Sequence, residues 1–305
     1  MGSFATRVVA TIVVALDGTG DTADIQEGID LLPAGGGVVY IKEGVYIITV
    51  PLEILSSNVR LEGAGASTII YLDDGSDCNV LEIGDGATTI NYAIVNNFRI
   101  DGNSAAQAAG HGIVLHGSGA NPVSHCWIDT VIIDDVFGVG IYVDEANDVR
   151  ISNCVIDGCG SHGIYANYGS LKVFNNTILS SGASGIKIEL AAGIENYELL
   201  NNNIRLSQDD GIYFENIIGS TVIGNICFNN GQSAVGSGIH LAGDCDRNNI
   251  SHNICYGFFI LPKQEWGILI DAGNDDNIVL GNTNYNNDTG SISDGGANNE
   301  IGHNQ

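Results

Sequence analysis

The sequence predicts an all-β chain wound as a single-stranded, right-handed parallel β-helix, a solenoid with a short N-terminal capping helix. Three observations carry that prediction. A block of the form Gly-Ile-x-apolar-x recurs seven times, beginning at Gly112, Gly140, Gly163, Gly185, Gly211, Gly238 and Gly267, at intervals of 28, 23, 22, 26, 27 and 29 residues. A second block, apolar residues ending on asparagine, falls between them at Asn153, Asn176, Asn203, Asn225, Asn253 and Asn282. Beyond residue 90 no segment has the apolar period of a helix, so the crossover helices of doubly wound and barrel α/β folds are missing. A unit of 22 to 29 residues with strands and no helix is one coil of a solenoid, burying its Ile, Val and Leu against the next coil. The matched asparagines are expected to stack as an internal ladder that satisfies buried turn groups from coil to coil.

Composition agrees and removes other classes. Glycine is 42 of 305 residues and proline only 4, with no three-residue period, which rules out collagen. A 44% hydrophobic fraction with 15% charged residues supplies a core, which rules out wholesale disorder. Ten Lys+Arg against 36 Asp+Glu give a net charge of −26, so neither nucleic acid nor an anionic membrane surface is an expected partner.

The elements follow in order. The apolar run Val8 to Leu16 is too short to span a membrane and reads as a strand closed by Asp17-Gly18-Thr19-Gly20-Asp21. No basic region with a small-residue cleavage site precedes it, so the chain is expected to be secreted after loss of a signal or carried on a virion. The stretch Ile25-Gln26-Glu27-Gly28-Ile29-Asp30-Leu31-Leu32-Pro33 comes next, then Gly35-Gly36-Gly37-Val38-Val39-Tyr40-Ile41-Lys42-Glu43-Gly44-Val45-Tyr46, then Leu61-Glu62-Gly63-Ala64-Gly65. On these residues the chain resembles, over essentially its full length, the pectate-lyase-like right-handed β-helix superfamily. The resemblance implies that the Ile25–Pro33 stretch is the amphipathic capping helix, which an open coil needs to cover its apolar end. It also implies a single domain over 1–305: cap and first coil in 1–50, coils in 51–285, and a C-terminal cap in 286–305. Superfamily members include polysaccharide lyases, glycoside hydrolases, uronan epimerases and phage tailspikes, so the fold alone does not choose an activity.

Candidate chemistry follows from the period of two in a strand. The Ile and the next apolar residue of each Gly-Ile block point inward and the two x positions point outward. Stacking then gives two outer columns, Val114-Tyr142-Tyr165-Lys187-Tyr213-His240-Leu269 and His116-Asp144-Asn167-Glu189-Glu215-Ala242-Asp271. Tyrosines, carboxylates and amides in such columns suit a sugar-binding groove, with Tyr142, Asp144, Tyr165, Asn167, Tyr213 and His240 as substrate-binding residues and aromatic rings stacking on pyranose faces. Stacked tyrosines also stabilise parallel coils with no ligand. Glu189 above Glu215 is a like-charge pair that needs a proton, a cation or a function to accommodate it. The expected reaction is glycoside hydrolysis by Glu189 and Glu215, one carboxyl protonated and acting as acid, with Asp210 or Asp144 supplying a longer carboxyl spacing. The competing chemistry is β-elimination or epimerisation of a uronan with Lys187, Tyr213 and His240 as base and acid. A third reading is a non-catalytic receptor-binding module of tailspike type, forming a homotrimer.

The resemblance transfers no catalytic motif. Asp209-Asp210-Gly211 is similar to the paired aspartates of polygalacturonase-like hydrolases, but Gly110-His111-Gly112 lies upstream of it and no Arg-Ile-Lys follows. The Asp-Pro-His-Asp/Glu motif of mannuronan epimerases is absent. No cofactor is expected. Ca²⁺ is the one ion the carboxylates of Asp144, Glu189, Glu215 and Asp271 would suit, though no compact Asp-x-Asp-x-Asp loop is present, and His111 and His162 lack a third zinc ligand in register. The acidic stretches Asp134-Asp135, Asp144-Glu145 and Asp244-Cys245-Asp246 are expected to mark solvated turns. Lys263-Gln264-Glu265-Trp266, after Phe258-Phe259-Ile260-Leu261-Pro262, is expected to form an inserted loop. The seven cysteines are odd in number and form no Cys-x-x-Cys, so they are expected mostly as reduced core residues.

Overall fold

A computed structural model describes residues 10–190, 196–233, 235–258 and 264–305. Its strands pair in parallel into three long sheets that run the length of a solenoid. The entry sheet has 12 strands, from Ala10–Val14 to Glu300–Gly302. The middle sheet has 10, from Gly44–Ile48 to Thr283–Tyr285, and the Gly-Ile sheet has 10, from Leu52–Ile54 to Gly290–Asp294. A typical coil therefore contributes three short strands, as in Ile164–Ala166, Leu171–Phe174 and Thr177–Leu179. The helix α1 (Ile25–Asp30) starts at Asp24, whose carboxylate accepts the Glu27 N–H at 2.9 Å. It buries Ile25 and Ile29 against the first coil, as a cap must.

The Gly-Ile motif has a direct cause. Ile141, Ile164, Ile186, Ile212, Ile239 and Ile268 form one fully buried stack, and Val143, Ala166, Ile188, Phe214, Leu241 and Ile270 form the next. The preceding glycines sit where successive coils approach most closely. A Cβ on Gly140 would lie 2.6 Å from the Gly163 carbonyl oxygen and 2.7 Å from Ile156 Cγ2, and each glycine of the column meets the next coil in the same way. Gly140→Ala is therefore expected to lower stability by about 1–3 kcal/mol through overpacking, read as a fall in the thermal or denaturant midpoint.

The asparagine ladder is present, one residue away from its expected place at two coils. Its members are Asn176, Asn202, Asn225, Asn253, Asn282 and Asn304, each Nδ2 donating to the next Oδ1 at 2.9–3.1 Å. Asn153 and Asn203 are not in it. The turn consists of one left-handed residue followed by the ladder residue. Asn153 (φ 54°) and Asn201 (φ 55°) take the left-handed position, Cys154 and Asn202 the ladder position, and Asn203 begins a strand. A second ladder, Asn248-Asn277-Asn299, lines the corner between the Gly-Ile and entry sheets.

Three further expectations change. The segment after residue 285 carries another turn, with Gly290–Asp294 and Glu300–Gly302 pairing in register onto the preceding strands. Asp134 ends the strand Ile132–Asp134, facing Asp101 and Asp157 on adjacent coils with Arg99 Nε 2.8 Å away, whereas Asp135 does sit in a left-handed turn. Trp266 opens the strand Trp266–Ile270 and Gln264 is buried, whereas residues 259–263 lie outside the described residues. Among the described residues no helix is long and apolar enough to cross a membrane. All seven cysteines are free thiols, with only Cys78 not fully buried.

Candidate active site

The Gly-Ile strands hold the register on which the outer columns depend. Tyr142 pairs with Tyr165, Tyr165 with Lys187, Lys187 with Tyr213 and Tyr213 with His240, while Glu189 pairs with Glu215. All of these side chains leave the same face, because their in-strand neighbours fill the core.

Coil spacing decides what the tyrosines can do. The Tyr142 and Tyr165 rings stack on each other with centroids 5.1 Å apart and planes within 10°. Lys187 Nζ lies 5.8 Å from the Tyr165 ring and 5.1 Å from the Tyr213 ring, and His240 meets Tyr213 edge-on at 5.1 Å. Ring faces are thus turned along the column toward neighbouring side chains. The face presents hydroxyls and ring edges to a ligand, in place of the open stacking platform expected from the sequence. Asn167 Nδ2 donates to the Tyr142 hydroxyl (3.0 Å) and to Asp144 (2.8 Å). Burial, helped by Asp144, pushes the Tyr142 phenol up to about 12.

Lys187 accommodates the like-charge pair. Its Nζ lies 2.7 Å from Glu189 Oε2 and 4.0 Å from Glu215 Oε2. The hydrogen bond from Lys187 holds the Glu189 carboxyl below its ordinary range, so the cation and not a shared proton resolves the repulsion. Glu189 is therefore a poor proton donor. The Tyr213 hydroxyl donates to Glu215 Oε2 at 3.1 Å, and burial with the adjacent Glu215 charge raises the Tyr213 phenol far above the ordinary range.

Asp210 does not face the glutamates as a second carboxyl. It is nearly buried, accepting the Ser237 N–H at 2.6 Å and contacting His240 Nδ1 at 3.2 Å. On the other side His240 Nε2 meets Asp271 Oδ2 at 3.1 Å. Burial alone would lower the His240 pKa, but the hydrogen bonds and charges of Asp210 and Asp271 outweigh it and raise it. An imidazole between two carboxylates is pushed toward its protonated form, and it is aimed at the same face as Glu215. A depression of about 280 Å³ here is lined by His162, Lys187, Asp209, Asp210, Tyr213 and His240.

His162, which the sequence leaves to a turn or groove wall, does line this depression, whereas Asp209 as part of it and Asp271 as a partner of His240 were missed. Only the two-residue offset of Asp271 from the His240 column hinted at the last. His162 Nδ1 accepts the Ser184 N–H at 3.2 Å and His111 Nδ1 accepts the Val139 N–H at 2.9 Å, which leaves the proton on each Nε2. Burial holds both imidazoles below the usual range, so they are neutral donors along the groove edge. Among the described residues no cluster of three or more His, Cys, Asp or Glu is placed to hold a metal ion.

Known proteins give the context. Pectinesterase/pectinesterase inhibitor 18 of Arabidopsis thaliana is 35% identical over 92 residues, 29% of this chain and 15% of that protein. The probable pectinesterase/pectinesterase inhibitor 12 of the same plant is 34% identical over 86 residues, again 15% of its length, so the chain matches only a small part of these relatives. Among solved structures, the mannuronan C-5 epimerase A-module of Azotobacter vinelandii aligns at TM-score 0.56 and 17% identity, covering 92% of this chain and 93% of its own. The DFA-IIIase of Arthrobacter chlorophenolicus aligns at TM-score 0.62 and 17% identity over 95% and 93%. Tailspike protein 2 of the Escherichia coli O157:H7 bacteriophage CAB120 aligns at TM-score 0.64 and 13% identity over 86% of this chain and 36% of its own. At these identities the structures share the fold. The family model for the right handed beta helix region matches residues 44–204 and again 139–305, in agreement with the parallel sheets and the ladder, and the chain belongs to that family.

Proposed function

We propose that the outer face of the Gly-Ile sheet binds a polysaccharide and hydrolyses its glycosidic bonds, in an extracellular or virion-borne setting. The observation that carries this reading is His240, clamped between Asp210 and Asp271, edge-on to Tyr213, whose hydroxyl bonds Glu215. In this reading His240 keeps Nδ1 on the buried Asp210, turns its Nε2–H from the exposed Asp271 to the leaving glycosidic oxygen, and gives it that proton as the C–O bond breaks. Glu215 takes a proton from the water whose oxygen joins the anomeric carbon. Asp210 orients and charges His240. Lys187 keeps Glu189 ionised next to the cation-like transition state. Tyr142, Asp144, Tyr165 and Asn167 supply hydroxyl, carboxylate and amide contacts to sugars further along the face.

Elimination is the weaker reading, because it asks for a base among Lys187, Tyr213 and His240. Lys187 is ion-paired, Tyr213 is raised far from ionisation, and the carboxylates of Asp210 and Asp271 push His240 toward its protonated form. Screening polysaccharides for products separates the two: hydrolysis gives new reducing ends only, and elimination adds an unsaturated, ultraviolet-absorbing end. Glu215→Gln is expected to lower kcat by about 10²–10⁴-fold, with Glu189→Gln less affected. If both variants keep full activity on a confirmed substrate, the assignment is wrong. The likeness to a tailspike favours a second reading, a receptor-binding module without turnover. That module would bind glycan, release no product, and run as a trimer in a sizing measurement.

A further inference from the structure

We propose a second, separate binding site for an acidic sugar on the outer face of the entry sheet, centred on Trp127 and Arg150. A pocket of about 390 Å³ opens there, on a different sheet from His240 and Glu215. The register explains the hollow. Along one outer column run Arg60, Ile94, Trp127 and Arg150; along the next, Asp129 and Ser152 are short side chains followed by the large Phe174. Trp127 is 45% exposed, so its ring is open to a ligand from the pocket side.

Charge selects the ligand. Acids outnumber bases 36 to 10 in this chain, yet among the described residues no carboxylate pairs with Arg150, and its Nε has no hydrogen-bond partner. Its guanidinium carbon lies 5.1 Å over the Trp127 ring. Asp129, on the pocket floor, is already engaged. Burial pushes its carboxyl up, but bonds from the Ser152 hydroxyl (2.5 Å), Asn153 Nδ2 (2.8 Å) and the Thr130 hydroxyl (2.9 Å) outweigh that and hold it ionised. Arg60 is likewise satisfied by Glu62 at 3.0 Å. The pocket therefore offers one guanidinium with no carboxylate paired to it among the described residues, bordered by Ile94, Trp127 and Phe174. A pyranose with a carboxylate matches both halves, the carboxylate on Arg150 and the apolar CH surface on the hydrophobic wall. A neutral sugar would leave the guanidinium unanswered.

The test uses calorimetric titration of the full chain with oligoglucuronate and oligogalacturonate, each beside its carboxyl-reduced neutral counterpart, and tryptophan fluorescence as a local signal. Saturable binding of an acidic oligomer is expected, weakened about tenfold or more by Arg150→Gln and less by Arg150→Lys. The same affinity and fluorescence change should persist in the double variant Tyr142→Ala with Asn167→Ala, which removes sugar contacts of the groove and so separates this site from it. Trp127→Phe should abolish the fluorescence change, and melting curves of the variants confirm that they are folded. Binding of neither acidic oligomer, equal binding of a neutral counterpart, or full affinity in Arg150→Gln would each overturn the proposal. Loss of binding in the Tyr142→Ala, Asn167→Ala double variant would overturn it too, by moving the site to the other face.

Discussion

Asn202→Ala is expected to destabilise the protein by about 3–6 kcal/mol, while Asn203→Ala, one residue further on, costs less than about 1 kcal/mol. The Asn202 side chain accepts the Asn176 N–H and the Asn176 amide, both at 3.0 Å, and donates to the Val173 carbonyl and to Asn225 Oδ1, both at 2.9 Å. Alanine would strand the Asn176 N–H and the Val173 carbonyl in the interior and break the ladder between two coils, each orphaned group costing about 1–3 kcal/mol. Asn203 lies in the strand Asn203–Arg205 with its side chain on the outer face, where truncation leaves no buried partner behind. Denaturant or thermal unfolding of the two variants decides the matter. Equal losses would remove the ladder from its assigned register.

His240→Gln is expected to lower kcat by about 10²–10⁴-fold with a smaller change in KM, since a general acid acts in the transition state more than in binding. The pH dependence gives a sharper test. Burial pulls the His240 pKa down, and Asp210 and Asp271 raise it past its ordinary value of about 6.5. The rate should therefore fall on an alkaline limb displaced above the ordinary imidazole value, as the imidazolium loses its proton. Asp210→Asn removes one of the two raising partners and should move the limb toward acid. The sign for stability is the same. His240 has a folded pKa above its unfolded one, so its contribution is complete below about pH 6.5 and is lost as pH rises through the raised value. An alkaline limb that ignores both His240→Gln and Asp210→Asn would remove His240 from the reaction.

The architecture was legible in the sequence because it repeats. A residue type forced by one coil's geometry is forced again in the next, so the Gly-Ile column, its inward and outward sides, and the facing of Glu189 with Glu215 could be counted out from spacing alone. The ladder was legible only in part. Asn153 and Asn202 show why: a left-handed turn residue and a ladder residue are adjacent and both favour asparagine, so Asn-rich corners leave the count ambiguous by one.

The site was less legible, because its chemistry depends on which groups lean across coils. Asp210 and Asp271 reach His240 from coils on either side, at sequence separations of 30 and 31 residues. Lys187 reaches two glutamates, 2.7 Å from Glu189 and 4.0 Å from Glu215, and its hydrogen bond holds the Glu189 carboxyl below its ordinary range. By itself the sequence determined the solenoid, its buried stacks and which residues share an outer face, since strand period and coil length depend only on local spacing. Tertiary structure alone decided the partners of each charge, placing Lys187 on Glu189 and His240 between Asp210 and Asp271, and leaving Arg150 with no carboxylate partner among the described residues beside Trp127, because ion pairing and burial are set by contacts between coils that no single coil encodes.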